Sequence, residues 1–285
     1  MKDTDIAWIA GLFEGEGNIS LWLPSHGSGH TSVLLGTSDR DVVERLDRLF
    51  PSRTGLKVHK DHTRPQNKDQ HVWKLGDSAN QQRFLRMIMP LLGQRRLAKA
   101  QEVVAWLESR PYAKTLTIEP IPMLSVPSSR EIDVAWAAGL FEGEGCISYG
   151  VKRGNVIVQV RMTDRDIIER LHAVVPCPKI GIVLPKSDHH KTQYRWTLTA
   201  PDRIREFLNM TLPYFGERRS TRAQELLAFL DTRPGRGARN GRKTHCPKGH
   251  EYTPENTTPI GPDKTWRACR TCNRNYMRAR KRLSS

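Results

Sequence analysis

The chain repeats itself once. Ala7-Trp8-Ile9-Ala10-Gly11-Leu12-Phe13-Glu14-Gly15-Glu16-Gly17 returns as Ala135-Trp136-Ala137-Ala138-Gly139-Leu140-Phe141-Glu142-Gly143-Glu144-Gly145, displaced by 128 residues. Ser38-Asp39-Arg40-Asp41 returns as Thr163-Asp164-Arg165-Asp166, displaced by 125. Trp73, Pro90 and Arg95-Arg96 return as Trp196, Pro213 and Arg218-Arg219, displaced by 123. Shortened loops produce such a slow drift in offset, and two copies are too few for a solenoid. The pattern predicts one domain duplicated in a single chain, with pseudo-twofold symmetry.

Each copy has the same predicted element order. A short helix opens it, and in the second copy Ser128 and Glu131 offer a capping box. The Gly-Glu-Gly end stops that helix. Two strands follow near 18–24 and 31–37, and near 146–152 and 156–163. Val156, Val158, Val160 and Met162 alternate with Ile157, Gln159, Arg161 and Thr163, the period of a strand with one face in and one out. A helix begins after Ser38-Asp39 and after Thr163-Asp164, then two strands near 54–60 and 71–76, and near 179–186 and 192–199. Helices near 78–89 and 95–109, and near 201–212 and 218–231, close the copies. The order is αββαββα, twice, so the fold class is α+β with antiparallel sheets. The divisions expected are a first repeat over 1–110, a proline-bearing linker over 111–127, a second repeat over 128–233, a flexible Gly/Arg linker over 234–243 and a C-terminal module over 244–285.

Charge narrows the partner. The net charge is +16 over 285 residues, and residues 233–285 hold fourteen Lys/Arg against Glu251, Glu255 and Asp263. A dense basic tail on a milder body points to a polyanion. No apolar run approaches the roughly 18–20 residues of a membrane span. No charged-then-apolar leader opens the chain, so a cytoplasmic location is expected. The five cysteines are an odd number, which argues for a reducing compartment and a metal site over a disulfide framework.

The paired motifs Ile9–Gly17 and Ala137–Gly145, with the strands and late helices that follow them, resemble the two signature motifs of a single-chain LAGLIDADG homing endonuclease over about residues 1–232. The sequence departs from that pattern in having Glu for Asp, and Gly15 and Gly143 for Ala. The resemblance implies that the second acid of each motif, Glu16 and Glu144, is a metal ligand, with Glu14 and Glu142 in a supporting role. It implies a Mg²⁺-dependent endonuclease that makes a staggered double-strand break across the minor groove of a long DNA site. Such an enzyme acts as a monomer and serves intron or intein mobility. It also places a basic residue after the late proline, where Arg95 and Arg218 match by spacing. Arginine cannot act as a base there, so the role is charge stabilisation or a backbone-phosphate contact.

The residues make physical sense unaided. Ala10-Gly11 and Ala138-Gly139 are small enough for two helices to approach closely. Packing them together brings Glu16 and Glu144 to one place, and two converging carboxylates call for a hard cation such as Mg²⁺ between them. Lys74, Gln159, Arg161, Gln193 and Arg195 fall on outward strand faces and are candidate DNA contacts, since Arg and Gln read base edges. Two other readings of the same fold stand beside the nuclease: an RNA-binding intron maturase and a DNA-binding regulator.

The C-terminal module has its own signature. Cys246-Pro-Lys-Gly-His250 and Cys269-Arg-Thr-Cys272 offer three thiolates and one imidazole, a closed tetrahedral Zn²⁺ set. So short a segment with so few apolar side chains needs a staple to fold. The pattern resembles zinc knuckles appended to phage and bacterial nucleases, some of the HNH type. It lacks a full second catalytic set, His245 and Asn256 standing alone. The expectation is structural zinc and DNA binding, with Arg274 and Arg278 on the following helix as phosphate contacts.

Overall fold

The computed structural model describes residues 1–26, 28–52, 55–59, 68–110, 129–150, 155–185, 187, 189–232, 244–260 and 266–283. The chain divides into two compact units, residues 1–228 and 229–285. Residues 111–127 and 234–243, expected as linkers, lie outside the described residues, as does Ser128.

In the first unit the two copies give matching element strings. The first runs α1 (Asp3–Gly15), β1 (Gly17–Trp22), β2 (His30–Thr37), α2 (Arg40–Leu49), β3 (Lys57–His59), β4 (Gln70–Leu75), α3 (Ser78–Ile88), a 3₁₀ turn and α4 (Gln94–Glu108). The second runs α5 (Arg130–Glu144), β5 (Gly145–Gly150), β6 (Asn155–Met162), α6 (Arg165–Val174), β7 (Gly181–Val183), β8 (Gln193–Leu198), α7 (Pro201–Thr211), a 3₁₀ turn and α8 (Glu217–Thr232), which crosses the boundary between units. Each copy holds a four-stranded antiparallel sheet, ordered β1-β2-β4-β3 and β5-β6-β8-β7. The fold class is α+β.

The alternation read from the sequence sets the sheet faces. Val156, Val158, Val160 and Met162 are buried, while Gln159 and Arg161 point away from the core. One aromatic nest fills each core. Trp73 meets Phe13 and Phe84 at ring-centroid distances of 5.9 and 5.0 Å. Trp196 meets Phe207 at 5.0 Å, and Phe207 meets Phe141 at 5.0 Å. The two indoles of these nests keep their N–H satisfied: Trp73 donates to the Phe50 carbonyl at 3.0 Å and Trp196 to that of Val175 at 2.8 Å. Burying each such ring contributes on the order of 3 kcal/mol.

Three local expectations shift. Helix α5 is capped by Ser129, whose hydroxyl accepts from the Ile132 amide at 3.3 Å. The residue three places on is then Ile132, so Glu131 closes no box with this cap, and Ser128, the cap expected, lies outside the described residues. Of the strands expected near 54–60 and 179–186, residues 54, 60 and 186 lie outside the described residues, and the rest hold strand at Lys57–His59 and Gly181–Val183. These two are edge strands whose Val58 and Ile182 are exposed, so no buried face extends them. Gly15 and Gly143 lie inside their helices, for a packing reason given below.

The second unit holds an antiparallel hairpin, β9 (Thr257–Ile260) and β10 (Trp266–Cys269), followed at once by α9 (Arg270–Leu283). Among the described residues no helix is long and apolar enough to cross a membrane.

Candidate active site and metal centre

Helices α1 and α5 pack along the small residues of both motifs. Ala7, Ala10, Ala135 and Ala138 are fully buried. A Cβ at Gly11 would overlap the Trp136 carbonyl oxygen and sit 2.8 Å from the Leu140 amide nitrogen. One at Gly139 would overlap the Trp8 carbonyl oxygen and sit 2.8 Å from the Leu12 nitrogen. Only glycine lets the backbones approach this closely. A turn further on, a Cβ at either Gly15 or Gly143 would lie 3.0 Å from the Cα of the other. This is why glycine stands where the family pattern has alanine.

The next residues fix the helix ends. Glu14 and Glu142 are 1% and 5% exposed. Glu14 accepts a hydrogen bond from the Gly93 amide at 2.6 Å, and Glu142 from the Gly216 amide at 2.7 Å. Burial pushes both carboxyls up to about 7, against the lowering pull of those amides and of Arg96 and Arg219 respectively. Arg96 donates to the Glu14, Gly15 and Gly17 carbonyls. Arg219 donates to those of Gly145 and Glu142 at 2.6 and 2.8 Å. Each buried arginine thereby neutralises the carbonyl end of its own motif helix.

Glu16 and Glu144 lie at the C-terminal ends of the paired helices, beside Gly15 and Gly143. Glu144 Cγ comes 3.4 Å from the Cβ position at Gly15, and Glu16 Cγ comes 3.1 Å from that at Gly143. Both carboxyls are raised, first by burial. Asp39 adds to the rise for Glu16, and Glu16 itself adds to it for Glu144. Two solvent-reachable carboxylates, one raising the other, are a hard-oxygen pair whose charge a divalent cation would relieve, so the donor chemistry fits Mg²⁺.

Arg95 and Arg218 sit beside this pair, each held by an acid of the opposite copy. Arg95 donates to both Asp164 carboxylate oxygens, Nε at 2.8 and 3.0 Å and Nη2 at 2.7 Å. Arg218 donates to both Asp39 oxygens at 2.6 and 2.5 Å. Arg95 and Arg218 remain half-exposed while their Asp partners are nearly buried. Asp41 and Asp166 reinforce the exchange, accepting from the Glu217 and Gln94 amides at 2.7 and 2.8 Å.

Asp39 and Asp164 are the site residues that sequence reasoning missed. The sequence places them at helix starts, yet neither side chain caps its helix. The available signal was the Asp-Arg-Asp triplet retained in both copies. That a side chain would leave its own helix end for the other copy's arginine is not visible in a linear pattern.

The proposed DNA contacts lie on the outward sheet faces. Arg161 on β6 stands directly opposite Arg195 on β8, an arrangement that like charges disfavour without an anion between them. Gln159 is paired with Thr197, and Lys74 on β4 with Leu34. Arg161 and Gln193 also line a cleft of about 480 Å³ with His189, His190 and Lys191.

The second unit gathers Cys246, His250, Cys269 and Cys272, their ligand atoms all within 4.8 Å of one another. Cys246 Sγ lies 3.6 Å from Cys272 Sγ, and His250 Nδ1 lies 3.3–3.7 Å from the three sulfurs. Those separations match the edges of a tetrahedron with Zn–S bonds of about 2.3 Å. Gly249, at φ 79°, makes the turn between Cys246 and His250 possible. Asn256 supports the cluster: its amide donates to Cys269 Sγ at 3.5 Å while its Oδ1 accepts from Thr271. This is the outer-shell orientation a metal thiolate needs, so Asn256 has a structural place here and no nuclease partner. The Cys272 amide is the chief cause holding the Cys269 thiol down to about 6. Arg274 and Arg278 are exposed on α9.

No family model matches the chain, and no curated protein matches it in sequence. Solved structures match it in fold. The LAGLIDADG meganuclease I-AabMI bound to uncleaved DNA is 13% identical with a TM-score of 0.52, the match covering 80% of this chain and 90% of that one. A double mutant of I-SmaMI is 14% identical with a TM-score of 0.50, covering 80% and 92%. With both motif helices and both sheets in one polypeptide, the repeat-built part of the chain has the LAGLIDADG fold.

Proposed function

We propose that the protein is a site-specific DNA endonuclease that hydrolyses one phosphodiester on each strand of a long duplex site, with staggered ends, one chain acting per site. The observation that carries this is the convergence of Glu16 and Glu144 where α1 and α5 end. A protein that only bound a polyanion would gain nothing from two carboxylates there. Glu16 and Glu144 would hold Mg²⁺, which when bound supplies an activated water and charge neutralisation at the phosphate. Arg95 and Arg218 stabilise the extra negative charge that develops on the phosphoryl oxygens. Asp39 and Asp164 keep those guanidinium groups oriented until DNA enters. Arg161, Gln193 and Arg195 on one outward face, and Lys74 on the other, grip the duplex. Cys246, His250, Cys269 and Cys272 hold a structural Zn²⁺ that folds the basic C-terminal module, and the module strengthens DNA binding.

The test is cleavage of a randomised duplex library by the full chain with Mg²⁺, followed by sequencing of the ends. A discrete site cut on both strands is expected, lost in Glu16→Gln and in Glu144→Gln with affinity equal or higher. Cleavage that persists at full rate in either variant removes these residues from the chemistry. Selective action on RNA would favour the maturase reading.

A further inference from the structure

Helix α9 leaves the zinc-type knuckle with its first turn fixed and residues Asn273–Arg280 exposed to solvent. Cys272 belongs to the ligand cluster. Thr271 donates its amide and hydroxyl to Asn256 Oδ1 at 3.0 and 2.8 Å, and Arg270 donates to the Thr258 hydroxyl at 3.0 Å. From Asn273 to Arg280 every residue is exposed, Tyr276 and Met277 being 63% and 56% accessible. No acid occurs between Arg270 and Leu283. A helix this short and cationic, with its described side chains from Asn273 to Arg280 in solvent, is marginal in water. A polyanion laid against it would remove both the repulsion and the exposure.

The face presented is also more than a patch of charge. At 100° per residue, Arg270, Arg274, Met277 and Arg278 project on the side opposite the ligating Cys272. Arginine pairs with the O6 and N7 of guanine, and an apolar side chain meets the thymine methyl. The major groove is wide enough to admit a helix. We propose that α9 is a base-reading helix. It lies in the major groove of duplex DNA on one side of the sequence gripped by the repeat-built unit, with Arg274 and Arg278 on guanine edges. This rests on the reading above that the ligand is duplex DNA, and extends it from anchoring to recognition. Because the chain has a single such module, the added recognition is one-sided.

The experiment uses the full zinc-loaded chain without Mg²⁺ and selects bound members of a random duplex pool, beside Arg274→Lys/Arg278→Lys and Arg274→Ala/Arg278→Ala. The wild-type chain should show a guanine-containing preference on one flank only, and methylation of guanine N7 there should weaken binding. The Lys variant should lose that flank preference by roughly 10-fold per residue while keeping the salt dependence. The Ala variant should lose both. A flank preference absent in the wild-type chain, or unchanged in the Ala variant, overturns base reading and leaves a phosphate anchor; so does preferential selection from a random RNA pool. Protection of the cysteines from alkylation verifies that each variant keeps its knuckle. The readout is binding, so a chain that reads the flank but never cuts DNA sinks the nuclease reading alone, and one that cuts without reading the flank sinks this one alone.

Discussion

Replacing Gly11 with alanine is a sharp test of how the two copies are joined. On an exposed helix this change would stabilise by about 1 kcal/mol, because alanine is the better helix former. Here the added methyl overlaps the Trp136 carbonyl oxygen and lies 2.8 Å from the Leu140 nitrogen. A carbon normally keeps about 3.5 Å from non-bonded atoms, so the helices must part by on the order of 1 Å. The obstacle is backbone, which no rotamer change can clear, so the cost belongs at or above the upper end of the ~1–3 kcal/mol typical of overpacking. Allowing for the propensity gain, a net loss of about 2–3 kcal/mol lowers Tm by roughly 5–10 °C for a unit of this size. The same displacement moves Glu16 relative to Glu144, and a misplacement of about 1 Å costs on the order of 100-fold in rate. Gly139→Ala should behave alike, since its methyl meets Trp8 and Leu12 in the same way. The assays are thermal unfolding and single-turnover cleavage at a temperature where both proteins are folded. A Gly11→Ala chain as stable as the parent, or more stable, would refute the close-packed helix pair as the joint of the fold.

Three further outcomes follow from the same geometry. Arg95→Ala should lower Tm by no more than about 4 °C, because half-exposed ion pairs contribute ~0–1 kcal/mol, and should slow cleavage. Arg96→Ala removes a buried cation that serves three carbonyls and should destabilise by about 3 kcal/mol; equal unfolding temperatures for the two variants would contradict this division of roles. Glu14 and Glu142, at about 7 when folded against 4.5 for a free carboxyl, bind more protons in the native state across that window, so stability falls as pH rises from about 4.5 to 7. The Glu14→Gln/Glu142→Gln chain should show a flatter Tm against pH, and an unchanged slope would count against buried carboxyls as the cause. Chelating zinc should abolish the unfolding transition of the second unit and expose its three ligating thiols to alkylation while leaving the first unit's Tm in place; a joint collapse of both transitions would show that the units are not independent.

Much of the fold was legible because its determinants are local and occur twice. The motif helices, the alternation in β6 and the tryptophan pair each follow from side-chain period and burial. The Cys/His spacing likewise specified its cluster. What escaped was the wiring between copies. Arg95 and Arg96 are neighbours of identical chemistry, yet one faces Asp164 of the other copy and its neighbour is spent on carbonyls of its own motif. Helix phase separates those roles by about 100°, and only the packing of α4 decides which arginine points where. The bidentate partners Asp39 and Asp164 were hidden for the same reason. At residues 55–56, 179–180 and 184–185 the edge strands β3 and β7 stop short of the expected spans, because sequence alternation alone does not say where a partner strand ends.

The helix pair also divides the chain's evolutionary freedom. At Gly11 and Gly139 each copy is moulded to the backbone of the other, so neither can drift alone. The sheets are under no such mutual restraint. Aligned inward positions still agree, Val33 with Val158 and Trp73 with Trp196, while aligned outward positions have parted company: Leu34 from Gln159, Gly36 from Arg161, Val72 from Arg195 and Lys74 from Thr197. Joining the copies in one polypeptide released their outer surfaces from having to match, and the two halves now present unlike chemistries across a common axis. If the ligand is the duplex proposed above, such a molecule has no reason to prefer a palindrome, and changes on either outer sheet face leave the joint between the motif helices undisturbed.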